Sequence, residues 1–296
     1  MKCFSPCSGR LLNLIVLLII ASSCTESQNH SPDEVVFDVS AFVFSGDSLD
    51  ISAETDNARA TTWNPDGSRM FITGRFTENV VSYDMTEPWD LSTASFADEF
   101  KLGEDFGTNT GLSVAHGLFI RDDGDMMWVF NRTEIRAYDL SEAWDLGTAS
   151  FSQYLDLSEV VQRGHDFDFK NDGTVLIIDD RNAQAVHQYG LETPWDIATA
   201  SHVFTLDISD VEQEVRGLEM ILDGSVMLLL DTVRMEVLQY DLSSPYEIST
   251  ASLSSILDVS AQSGDPRGLS ISTDLSRIYI TGRDNEAVYM YIRARE

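Results

Sequence analysis

The stretch NPDGSRMFITG, residues 64–74, with VVSYD at residues 80–84, decides the fold because its pattern recurs along the chain. Its tyrosine recurs at spacings of 55, 51, 51 and 51 residues, as Tyr83, Tyr138, Tyr189, Tyr240 and Tyr291. The aspartate of its turn recurs in the same way, as Asp66, Asp123, Asp172, Asp223 and Asp274. A fixed period of this length is typical of propellers, solenoids and other repeat arrays.

Each repeat contains four short strand patterns, as its first copy shows. Residues 59–63 and 69–73 are largely apolar and flank an Asp-Gly turn, a pair that suits a hairpin with positive φ. Residues 79–85 are rich in valine and tyrosine, and residues 95–102 follow after a break at residues 86–90. Short strands bounded by Gly, Pro and Asp, without helical periodicity, predict an all-β meander.

The N-terminal region supplies a strand that the last repeat lacks. The last repeat stops after its third strand, whereas FDVSAF at residues 37–42 resembles a shortened form of residues 89–96 and runs on into residues 49–52. Closing a ring with this strand would remove exposed sheet edges, which otherwise template aggregation. The sequence therefore predicts an all-β fold, a five-bladed β-propeller of four-stranded antiparallel blades at residues 33–296, closed by the N-terminal strand.

The segments PDGSRMFITG and VVSYD of the first repeat resemble the YVTN-type propeller repeat of bacterial surface and lactonase-like proteins. The resemblance covers about half of each repeat, and the added segment PWDLSTAS at residues 88–95 departs from it. It implies a propeller fold in a bacterial exported protein. It carries no catalytic residue over to this chain.

The first residues of the chain have the pattern of an export signal. Lys2 and Arg10 give a positive start, and a short apolar run follows at residues 11–20. Ten residues are too few to span a bilayer, so the run predicts a cleaved signal and not an anchor helix.

The segment ASSC at residues 21–24 resembles a bacterial lipoprotein processing site, in which Cys24 would be lipidated. Ordinary signal-peptidase cleavage near Ser23 is the alternative. The predicted organisation is a signal peptide at 1–23, a polar tether at 24–32 and the propeller. We therefore expect an exported protein of the bacterial cell envelope, periplasmic or surface-facing, that meets the membrane only through its lipid anchor.

The chain is strongly acidic, which limits its partners. Its formal net charge is −30 at pH 7, and loss of Lys2 and Arg10 with residues 1–23 leaves 17 basic and 49 acidic residues, a charge of −32. Such a charge repels nucleic acid and anionic lipid, so neither is an expected partner. The expected partner is an unidentified protein, a glycan or a small anion.

Two positions of the repeat predict a cationic site. Seven residues before the turn aspartate, every repeat has a basic or titratable nitrogen side chain: Arg59, His116, His165, Arg216 and Arg267. Nine residues after it, four repeats have an arginine: Arg75, Arg132, Arg181 and Arg283. In a meander both positions lie at the end of the blade opposite the Asp-Gly turn, so they should form an inner and an outer ring at one mouth of the central channel.

Guanidinium groups in these rings suit carboxylate, sulfate or phosphate. The two histidines have an ordinary pKa near 6.5, so their protonation is expected to tighten anion binding as pH falls. The alternative role is structural, because arginines at equivalent points of successive blades can pair with carboxylates of their neighbours.

The opposite end of the blades repeats an aromatic residue followed by an acid: Trp89-Asp90, Trp144-Asp145, Trp195-Asp196 and Tyr246-Glu247. Such a pair can hold a sugar, with the ring stacked on its apolar face, and repeated weak sites would add by multivalency. Alternatively, the ring plugs the loop and the acid caps its turn.

Enzyme signatures such as HExxH, GxSxG, a phosphate loop and paired cysteines are missing from the sequence. No catalytic residue, metal site or cofactor is predicted. Asp166, Asp168 and Glu219 are asymmetric carboxylates near the expected axis, and they keep a glycosidase-like hydrolase as a third hypothesis. The sequence favours a binding or interaction module, with a sugar-binding propeller as the alternative.

Overall fold

Five four-stranded antiparallel sheets make up this protein in a computed structural model. The structure describes residues 37–103, 114–211 and 214–294. The chain divides into residues 1–37 and residues 38–296, and the second unit contains every strand given below. The predicted signal peptide, the tether and Cys24 lie outside the described residues.

The strands of each blade follow one another in sequence, and their bounds are these. The N-terminal strand is β1 (Phe42–Asp50). Blade 1 contains β2 (Ala58–Trp63), β3 (Arg69–Gly74), β4 (Asn79–Met85) and β5 (Ala94–Lys101). Blade 2 contains β6 (Leu118–Ile120), β7 (Met126–Phe130), β8 (Glu134–Leu140) and β9 (Ala149–Asp156). Blade 3 contains β10 (Phe167–Phe169), β11 (Val175–Asp180), β12 (Ala185–Leu191) and β13 (Ala200–Asp207). Blade 4 contains β14 (Val215–Ile221), β15 (Val226–Asp231), β16 (Glu236–Leu242) and β17 (Ala251–Asp258). Blade 5 contains β18 (Pro266–Ile271), β19 (Arg277–Gly282) and β20 (Ala287–Arg293).

The ring closes through β1, as the sequence predicts. β1 pairs antiparallel with β20, with Phe42 opposite Arg293 and Leu49 opposite Val288, and it completes the sheet of blade 5. Just before it, the backbone N–H of Val39 donates to Gln239 Oε1 of blade 4 at 2.9 Å. The innermost strands β2, β6, β10, β14 and β18 pack against one another around the axis. The predicted five-bladed propeller is therefore confirmed.

The turn between the first two strands of a blade depends on glycine and on an aromatic plug. Gly67 has φ +71°, a left-handed conformation that favours glycine. The Trp89 backbone N–H donates to the Gly67 carbonyl at 2.9 Å, and its indole covers Gly67 so closely that a Cβ there would lie 2.2 Å from the ring. The same arrangement recurs in blades 2, 3 and 4, on Trp144, Trp195 and Tyr246.

The hydrophobic core lies between adjacent blades. Between blades 1 and 2, for example, Phe71 and Val80 of one sheet pack with Met127 and Val129 of the next. Similar clusters join blades 5 and 1, blades 2 and 3, and blades 3 and 4. Apolar side chains on both faces of the middle strands are buried between the blades. Their burial stabilises the fold by about 25 cal/mol per Å² of apolar area.

Three innermost strands contain a β-bulge near the axis. The register of β2 against β3 shifts between Ala58 and Thr61, that of β14 against β15 between Val215 and Gly217, and that of β18 against β19 between Pro266 and Gly268. A bulge inserts an extra residue, bends the strand and re-aims a side chain. The inserted residues include the ring arginines of these blades: Arg59, Arg216 and Arg267.

Candidate functional site

The predicted inner ring converges at one mouth of the channel. All five of its side chains are buried and border a common space: Arg59, His116, His165, Arg216 and Arg267. The gaps among them amount to about 160 Å³, and within the described structure they admit no water-sized sphere. The rings of His116 and His165 meet edge to face with centroids 4.5 Å apart, and Arg216 Nη1 donates to His165 Nε2 at 2.8 Å. The inner ring is therefore a packed cationic layer across the axis.

Both histidines of the inner ring are uncharged at neutral pH. Burial lowers the pKa of His116 well below 6.5, and the charges of Arg59 and Arg132 lower it further. Burial also lowers the pKa of His165 well below 6.5, with His116 and Arg216 beside it. The expectation that these histidines titrate near their ordinary value is therefore wrong, because desolvation and neighbouring cations both disfavour the imidazolium.

Two carboxylates neutralise the part of the mouth that blades 4 and 5 form. Glu214 accepts from Arg216 Nη2 at 2.8 Å and also pairs with Arg181, which reaches it from blade 3. Asp265 pairs with both ring arginines of its own blade, Arg267 and Arg283. This part of the two rings has the structural role that the sequence left open, and one of its four pairings joins neighbouring blades.

The part of the mouth near blade 1 keeps its positive charge. Arg59 donates to the side-chain oxygen of Asn57 and pairs with no carboxylate of the described residues. Its Nε and Nη1 are buried without a hydrogen-bond partner, as are both ring nitrogens of His116. Burial lowers the pKa of Arg59 to about 8, and the charges of Arg267 and Arg216 contribute to this shift.

Three half-buried arginines surround this unpaired part of the mouth, and we call them the arginine trio: Arg75, Arg132 and Arg163. Each has a buried Nε without a hydrogen-bond partner, and none pairs with a carboxylate in the described part of the chain. Burial and the charges of the other two members lower the pKa of Arg132 to about 10. The trio is thus held together by the fold against its own repulsion.

Arg163 is a member of the site that the sequence analysis missed. It lies two residues before the inner ring, at a position occupied in the five repeats by Asn57, Val114, Arg163, Glu214 and Asp265. An acid at this position neutralises the ring arginine of blades 4 and 5, whereas an amide, a valine and an arginine leave blades 1 to 3 without that carboxylate. Counting two residues back from the ring would have found this difference.

A second cavity, of about 440 Å³, lies at the opposite mouth. It is lined by the residues four before each turn aspartate: Thr62, Phe119, Asp168, Glu219 and Ser270. Trp63, Trp89 and Tyr246 add aromatic surface, and Asp122 and Asp223 add further carboxylates. This volume is within the range of small-molecule sites.

The predicted axial carboxylates belong to this end of the channel. Asp166 Oδ2 accepts from the backbone N–H of Leu218 at 3.2 Å, and Asp168 Oδ2 accepts from that of Met220 at 2.8 Å, so both join blade 3 to blade 4. Burial raises the pKa of Asp168 to about 7, with the charge of Asp122 adding to it. Burial and the charges of Asp168 and Asp166 raise the pKa of Glu219 well above its ordinary value.

The repeated aromatic-acid pairs are built into the loops. Trp89 and Tyr246 are buried, whereas Trp144 and Trp195 are half-buried. The acids of the first three pairs cap short 3₁₀ turns: Asp90 accepts from the N–H of Ser92, and Asp145 and Asp196 accept likewise. Glu247 makes no such cap. The aromatic rings thus fill the loops and the aspartates cap their turns. Little aromatic surface is left exposed for stacking on a sugar.

Two further features bear on function. In the described ranges, no group of three or more His, Cys, Asp and Glu side chains is arranged to hold a metal ion. Over the same residues, no helix is long and apolar enough to cross a membrane.

No family model matches this chain, and no curated protein matches it significantly. Solved structures resemble it at low identity. A protein from Lactobacillus plantarum aligns with a TM-score of 0.50 and 10% identity over 80% of this chain and 67% of its own. A Bacteroides uniformis protein provisionally named a 6-phosphogluconolactonase gives 0.47 and 11%, over 78% and 65%. A functionally unknown protein from Desulfotomaculum acetoxidans gives 0.45 and 11%, over 77% and 63%. The chain thus spans less than two thirds of the length of the Bacteroides and Desulfotomaculum proteins. The likeness to all three structures concerns the fold alone.

Proposed function

We propose that this protein is an exported binding module whose arginine-rich mouth holds a small oxyanion, such as a carboxylate, sulfate or phosphate. The observation that carries the proposal is the unpaired charge of blades 1 to 3. Arg59 and the arginine trio present four guanidinium groups to one region, and none pairs with a carboxylate of the described residues. Export and lipidation at Cys24 are the part of the proposal that rests on sequence alone.

An anion explains the polar groups of this mouth better than packing does. A buried N–H without a partner costs about 1–3 kcal/mol, and each arginine of the half-buried trio has such a group in its Nε. The inner layer is closed, so an anion would contact the half-buried trio from solvent, with Arg59 beneath it. Guanidinium groups bind oxyanions through paired, charge-assisted hydrogen bonds. On a chain with net charge −30, a cationic mouth is also the place to which anions are steered.

The experiment is a calorimetric titration of the purified propeller with phosphate, sulfate and citrate at low and high salt. The test variant carries Arg75→Gln, Arg132→Gln and Arg163→Gln. The matched control carries Arg181→Gln and Arg283→Gln, which remove arginines already paired with carboxylates. We expect at least one anion to bind, to bind more weakly as salt rises, and to lose at least tenfold in affinity in the test variant alone.

The test variant also separates binding from folding. Its three arginines have no described ion pair and repel one another, so their removal should leave the melting temperature unchanged or raise it. If none of the three anions binds the parent protein, or if both variants lose binding equally, the arginine-rich mouth is structural and the proposal is wrong.

The other hypotheses have less support. The buried rings and capping carboxylates of the aromatic-acid loops serve the fold, so sugar binding rests on the half-buried Trp144 and Trp195 alone. A hydrolase would need both a free acid and a free base at the axis, whereas Asp166 and Asp168 each accept two backbone N–H groups and only Glu219 of the three predicted carboxylates is left without a described partner.

A further inference from the structure

The 440 Å³ cavity at the opposite mouth has the reverse chemistry of the arginine-rich mouth. Four of its lining residues carry carboxyl groups: Asp122, Asp168, Glu219 and Asp223. None of its described lining residues is a lysine or an arginine. Asp168 and Glu219 could be named from the sequence as axial carboxylates, but the cavity that they line could not.

Unused polar atoms border this cavity. Glu219 forms no hydrogen bond or ion pair with the described residues, although its charge is disfavoured there by burial. Ser270 is 2% exposed, and its Oγ has no hydrogen-bond partner. Carboxyl and hydroxyl oxygens that can accept a hydrogen bond therefore border the cavity, and the buried Trp63 Nε1 is also without a hydrogen-bond partner.

Aromatic surface completes the cavity. The rings of Trp63 and Trp89 lie 5.0 Å apart, and Phe119 and Tyr246 line the same space. An aromatic face attracts a cation and also buries an apolar chain, and the cationic contact is worth about 0.5–2 kcal/mol. The cavity thus combines acceptor oxygens, carboxyl groups without a basic partner in its lining, and aromatic walls.

We propose that this cavity binds a primary organic ammonium ion with an apolar body. The ammonium N–H groups would donate to Glu219 and Ser270, and the apolar body would lie against the aromatic walls. A neutral polyol fits less well, because it would leave the mutual repulsion of Asp122, Asp168 and Glu219 in place, whereas a cation relieves it. The site is separate from the anion mouth and does not depend on it.

The test uses phenethylammonium and its uncharged counterpart 2-phenylethanol, which differ only in the ammonium and hydroxyl groups. D-glucose serves as the neutral polyol. We expect calorimetric titration at pH 7.5 to show phenethylammonium binding at least tenfold more tightly than 2-phenylethanol. The preference should fall as salt rises, because screening weakens the attraction between the cation and the carboxylates.

Affinity for phenethylammonium should also rise with pH. Asp168, whose pKa burial raises to about 7, faces Asp122, Asp166, Glu219 and Tyr246, and a cation favours its ionised form. If Asp168 must lose its proton for binding, affinity increases by about fivefold between pH 6 and pH 7. A neutral ligand would show no such rise.

Glu219→Gln is the diagnostic variant, because it removes the carboxyl group that a bound cation would ionise and keeps the shape of the side chain. It should weaken phenethylammonium binding at least tenfold without lowering the melting temperature, since Glu219 has no described partner to lose. Asp139→Asn, on the exposed face of β8, is the matched control and should change nothing. Equal binding of the two probes, binding of D-glucose alone, no binding at all, or an unchanged affinity in Glu219→Gln would each overturn the proposal.

Discussion

Replacing Asp179 with asparagine should make the stability of the protein less dependent on pH. Asp179 is completely buried in β11, where its Oδ1 accepts from the backbone N–H groups of His165 and Asp166. Its Oδ2 is buried without a hydrogen-bond partner. Burial is the main cause that raises the pKa of this carboxyl to about 8, from an ordinary value of 3.8. Asparagine keeps the accepting oxygen and removes the ionisation.

The sign follows from the two pKa values of Asp179. The carboxyl ionises near 3.8 in the unfolded chain and near 8 in the folded protein, so ionisation favours the unfolded chain. The resulting destabilisation is complete above about pH 8 and vanishes below about pH 3.8. At about 1.36 kcal/mol per pKa unit, it amounts to about 6 kcal/mol at its maximum. Between pH 8.5 and pH 5.5 the wild type should therefore gain about 3 kcal/mol relative to Asp179→Asn.

Urea unfolding followed by tryptophan fluorescence at pH 5.5, 7.0 and 8.5 measures this change. The difference between the two pH dependences cancels any constant effect of the amide on packing or hydrogen bonding. The exposed substitution Asp139→Asn is the control and should give a curve parallel to the wild type. Parallel curves for wild type and Asp179→Asn would refute the reasoning and would mean that Asp179 stays ionised beneath the inner ring, where it would cancel part of the positive charge.

Removing residues 38–50 should expose the edge of β20 and cause aggregation in size-exclusion chromatography with light scattering, because an unpaired edge strand recruits other chains; an equally stable monomer would contradict closure by β1. Trp89→Ala should lower the free energy of unfolding in urea by about 3–5 kcal/mol, since the buried indole covers Gly67; an unchanged value would return this loop to the sugar-binding hypothesis. Cys24→Ser should move the expressed protein from the detergent to the aqueous phase of a Triton X-114 partition, because an acyl chain contributes about 0.8 kcal/mol per buried CH₂; a mature chain that starts at residue 24 without added lipid mass would argue against lipidation.

The fold could be predicted from the sequence because its determinants are local and recur. The Asp-Gly turn, the valine- and tyrosine-rich third strand and the aromatic residue of the loop each occupy a fixed place in the repeat. Even the fourth strand of blade 1, expected at residues 95–102, is found one residue earlier, at Ala94–Lys101. Closure by the N-terminal strand followed from counting strands.

The candidate sites were predicted less completely, because they depend on contacts between distant segments. Counting residues from the turn aspartate placed the inner ring at one mouth. It could not show that Glu214 forms ion pairs with both Arg181 and Arg216. Nor could it show that burial keeps the two histidines neutral. In each repeat the inner-ring residue stands three positions before the residue that lines the opposite cavity. In a regular strand, residues three apart face opposite sides. The bulges at Arg59, Arg216 and Arg267 change this alternation in three inner strands, which strand patterning alone does not reveal.

The two mouths owe their opposite chemistry to where a residue stands along the innermost strand. These strands run in the same direction in all five blades, so one offset from the turn always leads to the same mouth. Glycines at Gly217 and Gly268 bring neighbouring strands so close that a Cβ would lie 2.9 and 2.2 Å from the next strand, which narrows the axis between the two mouths. The features that all five repeats share thus form the propeller, and the positions at which single repeats differ form the candidate sites. The missing acid beside Arg59 and the extra acid at Glu219 are therefore where binding should be sought first.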